Sequence, residues 1–223
     1  MTVVYSHKEL TADNIYTFYF KPSQPVKYTA GQFIELRLPH KSPDSRGDKR
    51  WFTLSSSPTE DALTITTKIS EPSSTFKKTL LALKAGKVVH MSDAMGDFVL
   101  PKDAAIPLIF VAGGIGITPV HSIVQWLIDR AEKRDITIIY AAASASERAF
   151  LPLFKQYALK LIEYSGDRLS AEVIIDLVDP PPRCQIYLSG PEPMIEALVA
   201  QFDKTPVGTD RLVTDYFVGY KQI

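Results

Sequence analysis

"IPLIFVAGGIGITPVHSIVQWLIDRAEKR" occupies residues 106–134 and holds, in order, a wholly apolar run, a glycine cluster and an amphipathic stretch. The apolar run reads as a strand covered on both faces, the kind that parallel sheets contain. Gly113, Gly114 and Gly116 follow at the point where that strand must turn. The stretch from Thr118 reads as a helix, with Pro119 in the first turn, where a missing N–H costs nothing. Glycines at such a junction allow a tight turn and a close backbone approach. The free N–H groups of the helix start favour an anion, so Gly113, Gly114, Ile115, Gly116, Thr118 and Pro119 are candidates for holding a nucleotide pyrophosphate. Thr118 and Pro119 stand where the dinucleotide fingerprint has its third glycine, and the Lys-Ser/Thr pair of a P-loop is missing.

Outward toward the C-terminus the alternation of strand and helix continues. "DITIIYAA" reads as a strand, "ERAFLPLFKQYALK" as a helix with Pro152 in its first turn, and "AEVIIDLV" as a short helix or strand. "CQIYLSG" is a strand, "PEPMIEALVAQF" a helix, and "RLVTDYFVGY" closes the chain. This pattern predicts a doubly wound parallel sheet with right-handed crossovers. Strands of such a sheet open into one crevice at their carboxyl ends. Ser189, Gly190, Pro191 and Met194 are therefore expected to share a site with the glycine loop.

Outward toward the N-terminus the rhythm differs. "IYTFYF", "QFIELRL", "RWFTLSS", "ALTITTKI" and "KVVHMSD" are short β-type runs separated by turn clusters, which predicts a small antiparallel barrel or sandwich. One helix interrupts them, "SSTFKKTLLALKAG", with Ser73 or Ser74 as N-cap and Gly86 beyond its end. The two grammars meet near residues 100–105, which divides the chain into 1–102 and 103–223.

Composition narrows the function. The chain has 223 residues, 45% hydrophobic and 22% charged, with 25 basic and 25 acidic side chains. Zero net charge argues against nucleic acid as the main partner. Cys184 is the single cysteine, so an intrachain disulfide and a cysteine-ligated cluster or zinc site are excluded. His7, His40, His90 and His121 lack metal-ligand spacing, and no metal site is expected. "MTVVYSHKEL" has no signal-peptide pattern, and the longest apolar run is too short and glycine-rich to span a bilayer. A cytoplasmic protein is expected. The oddest stretch is "RWFTLSSSP" at 50–58, with a cation, two adjacent aromatics and four hydroxyls in nine residues; Ser55 to Ser57 read as the strand's polar exit and turn, ended by Pro58.

"RWFT", "GGIGITP" and "LSGPEPM", in this order and spacing, together resemble the ferredoxin–NADP reductase superfamily, and the resemblance covers nearly the whole chain. It implies an antiparallel flavin-binding β-barrel followed by an α/β nicotinamide-nucleotide domain. It implies that Arg50 pairs with a flavin phosphate, that Phe52 lies against the isoalloxazine ring and that Thr53 approaches flavin N5; Trp51, alternating to the other face, either packs elsewhere or meets the flavin's outer part. Thr66, Thr67 and Lys68 would be further flavin contacts. Ser73, Ser74 and Thr75 would form the phosphate turn, although Pro72 replaces the family's usual glycine. Ser189 takes the place of a cysteine that many members set near the nicotinamide. The tail "TDYFVGY" resembles the segment some members lay over the flavin, which makes Asp215, Phe217 and Tyr220 candidates. The resemblance favours FAD over FMN, with NADH or NADPH as hydride donor. The loop "YAAASASERAF" lacks the early arginine that many NADPH-using relatives carry, so NADH is preferred, with Ser144, Ser146 and Arg148 left as candidates for a 2′-phosphate. The function implied is a reductase that passes electrons to an external acceptor, a protein in the first reading. The alternatives are a reductase of free flavin or quinone, and a non-catalytic flavin- or nucleotide-binding subunit.

Overall fold

The structure, a computed structural model, describes residues 1–157, 160–166 and 168–217, with only the backbone of Phe217. Six strands, β1 (Thr2–Ala12), β2 (Ile15–Pro22), β3 (Phe33–Arg37), β4 (Lys49–Thr53), β5 (Leu63–Lys68) and β6 (Val88–Met91), form an antiparallel sheet in the order β4-β3-β6-β1-β2-β5. Alternation decides its faces: Phe18, Phe20, Ile34, Leu36, Ile65 and Val89 point to one core, which α1 (Thr75–Leu81) caps through Phe76 and Leu80. The sheet rolls until its edge strands meet. Beyond β4, Leu54 bridges Ile65 of β5, and the Ser55 N–H donates to the Thr64 carbonyl at 2.8 Å. The result is barrel-like without being closed.

The sequence reading has no counterpart of β1, the longest strand. "TVVYSHKELTA" carries charges and is offset by irregularities at Tyr5/His7 and Leu10/Ala12, so only Val3 and Tyr5 of it are buried. Helix α1 also ends sooner than expected, at Leu81, with Ala82 as its cap. Gly86 lies beyond it at φ +85° and donates its N–H to the Tyr5 carbonyl.

In the second half, β7 (Leu108–Gly113), β8 (Ile136–Ala141), β9 (Lys160–Tyr164), β10 (Gln185–Pro191) and β11 (Leu212–Phe217) make a parallel sheet ordered β11-β10-β7-β8-β9. β7 is buried at all six positions, as its unbroken apolar run demands. One face packs on α2 (Ile117–Asp129) and α3 (Leu151–Gln156), the other on α4 (Ala171–Val178) and α5 (Glu192–Phe202). The chain runs outward through β8 and β9, then returns to β10 on the other side of β7. The order therefore reverses between β7 and β10, where ligands of such sheets bind.

Two boundaries differ from expectation. The predicted helix over 147–160 is a six-residue α3, entered through Phe150 at φ +66°. β9 follows it as an edge strand whose exposure hides it from a hydrophobic period. Helix α2 stops at Asp129 rather than running to Arg134, because Ala131 turns at φ +52°.

The two halves share a core. Ile15, Ala30 and Phe98 pack with Val120, Ile123, Val124 and Leu127 of α2. Gly31 sits at φ +97°, and a Cβ there would lie 1.9 Å from the Phe98 carbonyl oxygen, so this contact tolerates no side chain.

Candidate functional site

The serines of "RWFTLSSSP" explain how the halves are locked. Ser55, Ser56 and Ser57 are buried, not the polar turn that the sequence suggests. The Ser55 carbonyl accepts from His121 Nδ1 at 2.7 Å, and the Ser56 carbonyl accepts from Ser122 Oγ at 2.5 Å and Tyr28 Oη at 3.0 Å. Thr59 and Asp129 add a further hydrogen bond across the junction. Packed under the Phe150 ring at 3.8 Å, the His121 imidazole is pushed down to about 4 by burial, opposed by its bond to Ser55.

This junction opens into a cavity of about 630 Å³, within the size range of small-molecule and cofactor sites. Its walls come from both halves. Arg50, Trp51, Phe52, Thr53, Thr66, Thr67 and Lys68 line it from β4 and β5. Gly113, Gly114, Ile115, Thr118, Pro191 and Met194 line it from the strand ends of the parallel sheet. The far wall adds Ala141, Ala142 and Ala143 after β8, Tyr164, Gly166 and Arg168 after β9, and Gln201 of α5, none of which the sequence marks as site residues.

The cations gather on the barrel side, where Arg46, Arg50, Lys68 and Lys77 reach the wall. Arg50 does not stand ready for an anion as expected. Its Nη2 donates to both Asp44 oxygens, at 2.7 and 2.8 Å, and its Nη1 to the carbonyls of Gly47 and Lys49. Its Nε is buried without a partner. Arg46 shares Asp44, and its hydrogen bond, with the nearby Arg50 charge, holds that carboxyl down at about 2. Two guanidinium groups share one carboxylate, so the corner keeps net positive charge. Lys68 pairs with Glu147 across the junction at 2.7 Å.

Among the phosphate-turn candidates the roles divide. Ser74 caps α1 by accepting from the Lys77 N–H, and Thr75 donates its hydroxyl to the Ser42 carbonyl. Ser73 is buried and its Oγ has no partner, which leaves one hydroxyl unspent at this helix start. Phe52 is nearly buried, stacks on Phe76 at 6.1 Å and still lines the cavity. Thr66 spends its hydroxyl on a ladder with Thr17 and Ser55, at 2.8 Å each.

The glycine loop separates into two functions. A Cβ at Gly116 would lie 2.2 Å from the Ser189 carbonyl oxygen, so the packing on β10 requires that glycine, whereas one at Gly113 would meet the flexible Met194 thioether at 2.4 Å, which can shift. Gly114 differs. It turns at φ +54° with nothing within 4 Å of a Cβ, and its backbone faces the open cavity. Pro119, Gly190 and Ser189 lie behind this wall, not on it. Ser189 is fully buried with an unpartnered Oγ.

At the other end of β4, Thr53 Oγ1 donates to Asp215 Oδ2 at 3.4 Å, linking residues 162 positions apart. Burial pushes the Asp215 carboxyl up to about 6, with the Thr53 bond opposing it. The Phe217 side chain and Tyr220, both expected near the site, lie outside the described residues. Among the described residues no cluster of three His, Cys, Asp or Glu side chains could hold a metal, and no helix is long and apolar enough to cross a membrane.

Comparisons with known proteins agree with this geometry. The family described as "Oxidoreductase NAD-binding domain" matches residues 110–200, from β7 into α5. A flavohemoprotein of Oceanobacillus iheyensis is 26% identical over 214 residues, which is 86% of this chain and 51% of that protein. The chain spans about half or less of the length of the curated relatives it matches. The fold is that of the flavohem-like FAD/NAD binding domain of nitric oxide dioxygenase from Vibrio cholerae, with a TM-score of 0.78, 22% identity and 97% and 98% of the two chains covered. It is also that of the Amycolatopsis cytochrome P450 reductase GcoB, with a TM-score of 0.82, 21% identity and 98% and 69% covered. With a barrel-like sheet, a parallel sheet and a cavity at their junction, this chain has the fold of these reductase domains, and its residues 110–200 match the oxidoreductase NAD-binding family.

Proposed function

We propose that residues 1–102 hold FAD, that residues 103–223 bind a nicotinamide nucleotide, and that the chain passes electrons from that nucleotide to a separate protein acceptor. The observation that carries this reading is the cavity itself, which is walled by β4 and β5 on one side and by the strand ends of the parallel sheet on the other. Its donors fit a flavin: a net positive corner at Arg46 and Arg50 and a threonine at 53. The name of the Vibrio cholerae domain, FAD/NAD binding, favours the same pair of ligands.

A bound flavin supplies hydride acceptance at N5 and release of the electrons singly or together. The chain's own residues do the rest. Arg46 and Arg50 meet the flavin phosphates, sharing their donors between ligand and Asp44. Trp51 and Phe52 form the apolar wall for the ring system, with Thr67 and Lys68 at its polar margin. The Thr53 hydroxyl and the Asp215 carboxyl stand together and would serve a flavin ring nitrogen as proton donor and acceptor, since a carboxyl near 6 can hold or release a proton at neutral pH. Gly114 and Ile115 approach the nucleotide pyrophosphate with their backbone, and Met194 and Pro191 close the nicotinamide end.

NADH is the preferred donor. Arg148 is committed to the end of β9, where it donates to the Tyr164 carbonyl and Ser165 Oγ and pairs with Glu163. Ser144 and Ser146 bond to each other, and Ser146 to Asp13. None of the three is free for a 2′-phosphate, which leaves Arg168 as the cation of that wall. The buried lone thiol of Cys184 fits the reducing cytoplasm as the working compartment.

Reconstitution with FAD tests this reading. Arg50→Ala is expected to lose flavin on gel filtration, and Thr53→Ala to keep flavin while its reduction by NADH slows. A protein that never retains flavin would refute the assignment of the first 102 residues.

A further inference from the structure

The outer face of β3 and β4 carries an apolar group that neither core absorbs. Trp51 is 63% exposed and Met95 40% exposed. Phe33 joins them, with its ring 6.2 Å from that of Trp51 and its backbone exchanging two hydrogen bonds with Met95, at 2.9 and 2.8 Å. The segment that follows is shaped around this ring: Gly96 turns at φ +100°, and a Cβ there would lie 2.8 Å from Phe33.

The charges around the group do not balance. Glu35, opposite Trp51 on β3, is neutralised by Lys49 at 2.8 Å. Asp93 and Asp97 flank Met95, both exposed, and neither has an ion pair or side-chain hydrogen bond among the described residues. The face is thus apolar at its centre and acidic at its rim, the anatomy of a transient interface. It adjoins the site described above. Phe33 lies directly opposite Thr53 in the β3–β4 register, and Trp51 is both exposed on this face and part of the cavity wall.

We propose that this face docks a protein electron acceptor whose own redox centre lies behind an apolar contact ringed by lysine or arginine. The inference rests on the function proposed above and names the partner's chemistry. One NADH reduces two such one-electron acceptors, leaving NAD⁺ and one proton. A phosphate-rich partner is repelled by Asp93 and Asp97. A second copy of this chain is also disfavoured, because a two-fold axis through the patch would set those carboxylates against their own images.

The test uses cytochrome c as the lysine-ringed acceptor and ferricyanide as a small one that needs no docking. Calorimetry at low ionic strength is expected to show binding of oxidised cytochrome c to the flavin-loaded protein. The double variant Asp93→Lys/Asp97→Lys should weaken that binding about tenfold, and Met95→Ser should weaken it with no change in charge. The kcat/KM for cytochrome c should fall in parallel and lose its salt dependence, while flavin content and the ferricyanide rate are not lowered. Wild-type protein that does not bind cytochrome c, or variants that bind it as tightly as wild type, would overturn the proposal. So would a wild-type dimer that Met95→Ser dissociates, since the face would then belong to a second copy. If NADH drives reduction of neither acceptor, the function proposed above fails, and calorimetry still decides the docking on its own.

Discussion

Replacing Asp215 with asparagine should stabilise the folded chain at neutral pH and change nothing in acid. The carboxyl is partly buried beside Thr53, and this desolvation raises it from 3.8 to about 6. At about 1.4 kcal/mol per pH unit, holding this group ionised in the fold costs up to about 3 kcal/mol above pH 6. The direction follows from proton binding. Between 3.8 and about 6 the folded chain binds the proton that the unfolded chain has released, so stability rises as pH falls through this window. The amide of an asparagine has the same shape as the carboxyl, can accept from the Thr53 hydroxyl and never ionises. Urea unfolding of the flavin-free protein should therefore find Asp215→Asn more stable by up to about 3 kcal/mol at pH 8. The advantage should shrink to about half of that at pH 5 and vanish below about pH 4. In the loaded enzyme, a kinetic step near pH 6 in flavin reduction should disappear in the same variant. A constant stability difference at every pH, or a carboxyl that titrates near 4 in an isotope-edited infrared spectrum, would refute the burial argument.

Other consequences are as specific. His121 is held neutral, down at about 4 from 6.5, so the unfolded chain binds more protons in this window and stability falls as pH drops through it, by about 3 kcal/mol in all. His121→Gln should flatten this part of the urea-midpoint profile, and an unchanged profile would place the acid sensitivity elsewhere. Gly116→Ala must push a Cβ against the Ser189 backbone and should lower the unfolding free energy by about 1–3 kcal/mol or prevent folding. Gly114→Ala, with open space around it, should cost about 1–2 kcal/mol from its positive φ alone while weakening nucleotide binding. Ser122→Ala removes one of two donors to the Ser56 carbonyl and should cost about 1 kcal/mol, seen as easier proteolysis at the junction of the two halves.

Much of this was legible in residues. "IPLIFVAGGIGITPV" states its own geometry, since an apolar run, a glycine turn and an N-terminal proline admit few other folds, and β7, the loop and α2 follow it. "RWFT" pointed to the cavity wall, and all of its residues line it. What stayed hidden was hidden for physical reasons. β1 is exposed on both faces beyond Tyr5, and the edge strand β9 has no buried position, so no hydrophobic period marks them. Ser55–Ser57 look like a surface turn because their burial depends on α2, sixty-six residues away, whose His121 and Ser122 satisfy the Ser55 and Ser56 carbonyls. The tie between Arg50 and Asp44 is equally silent, because a six-residue spacing in a loop says nothing of a bidentate pair. That Gly116 is also demanded by the Ser189 backbone behind it is likewise invisible in the sequence.

The most direct test of the central claim is anaerobic titration of the FAD-reconstituted protein with NADH. One equivalent is predicted to bleach the visible flavin bands, and NADPH should do so with lower affinity. Flavin that stays oxidised under excess of both nucleotides would contradict the account, for the cavity between the two sheets would then hold its ligands without joining them.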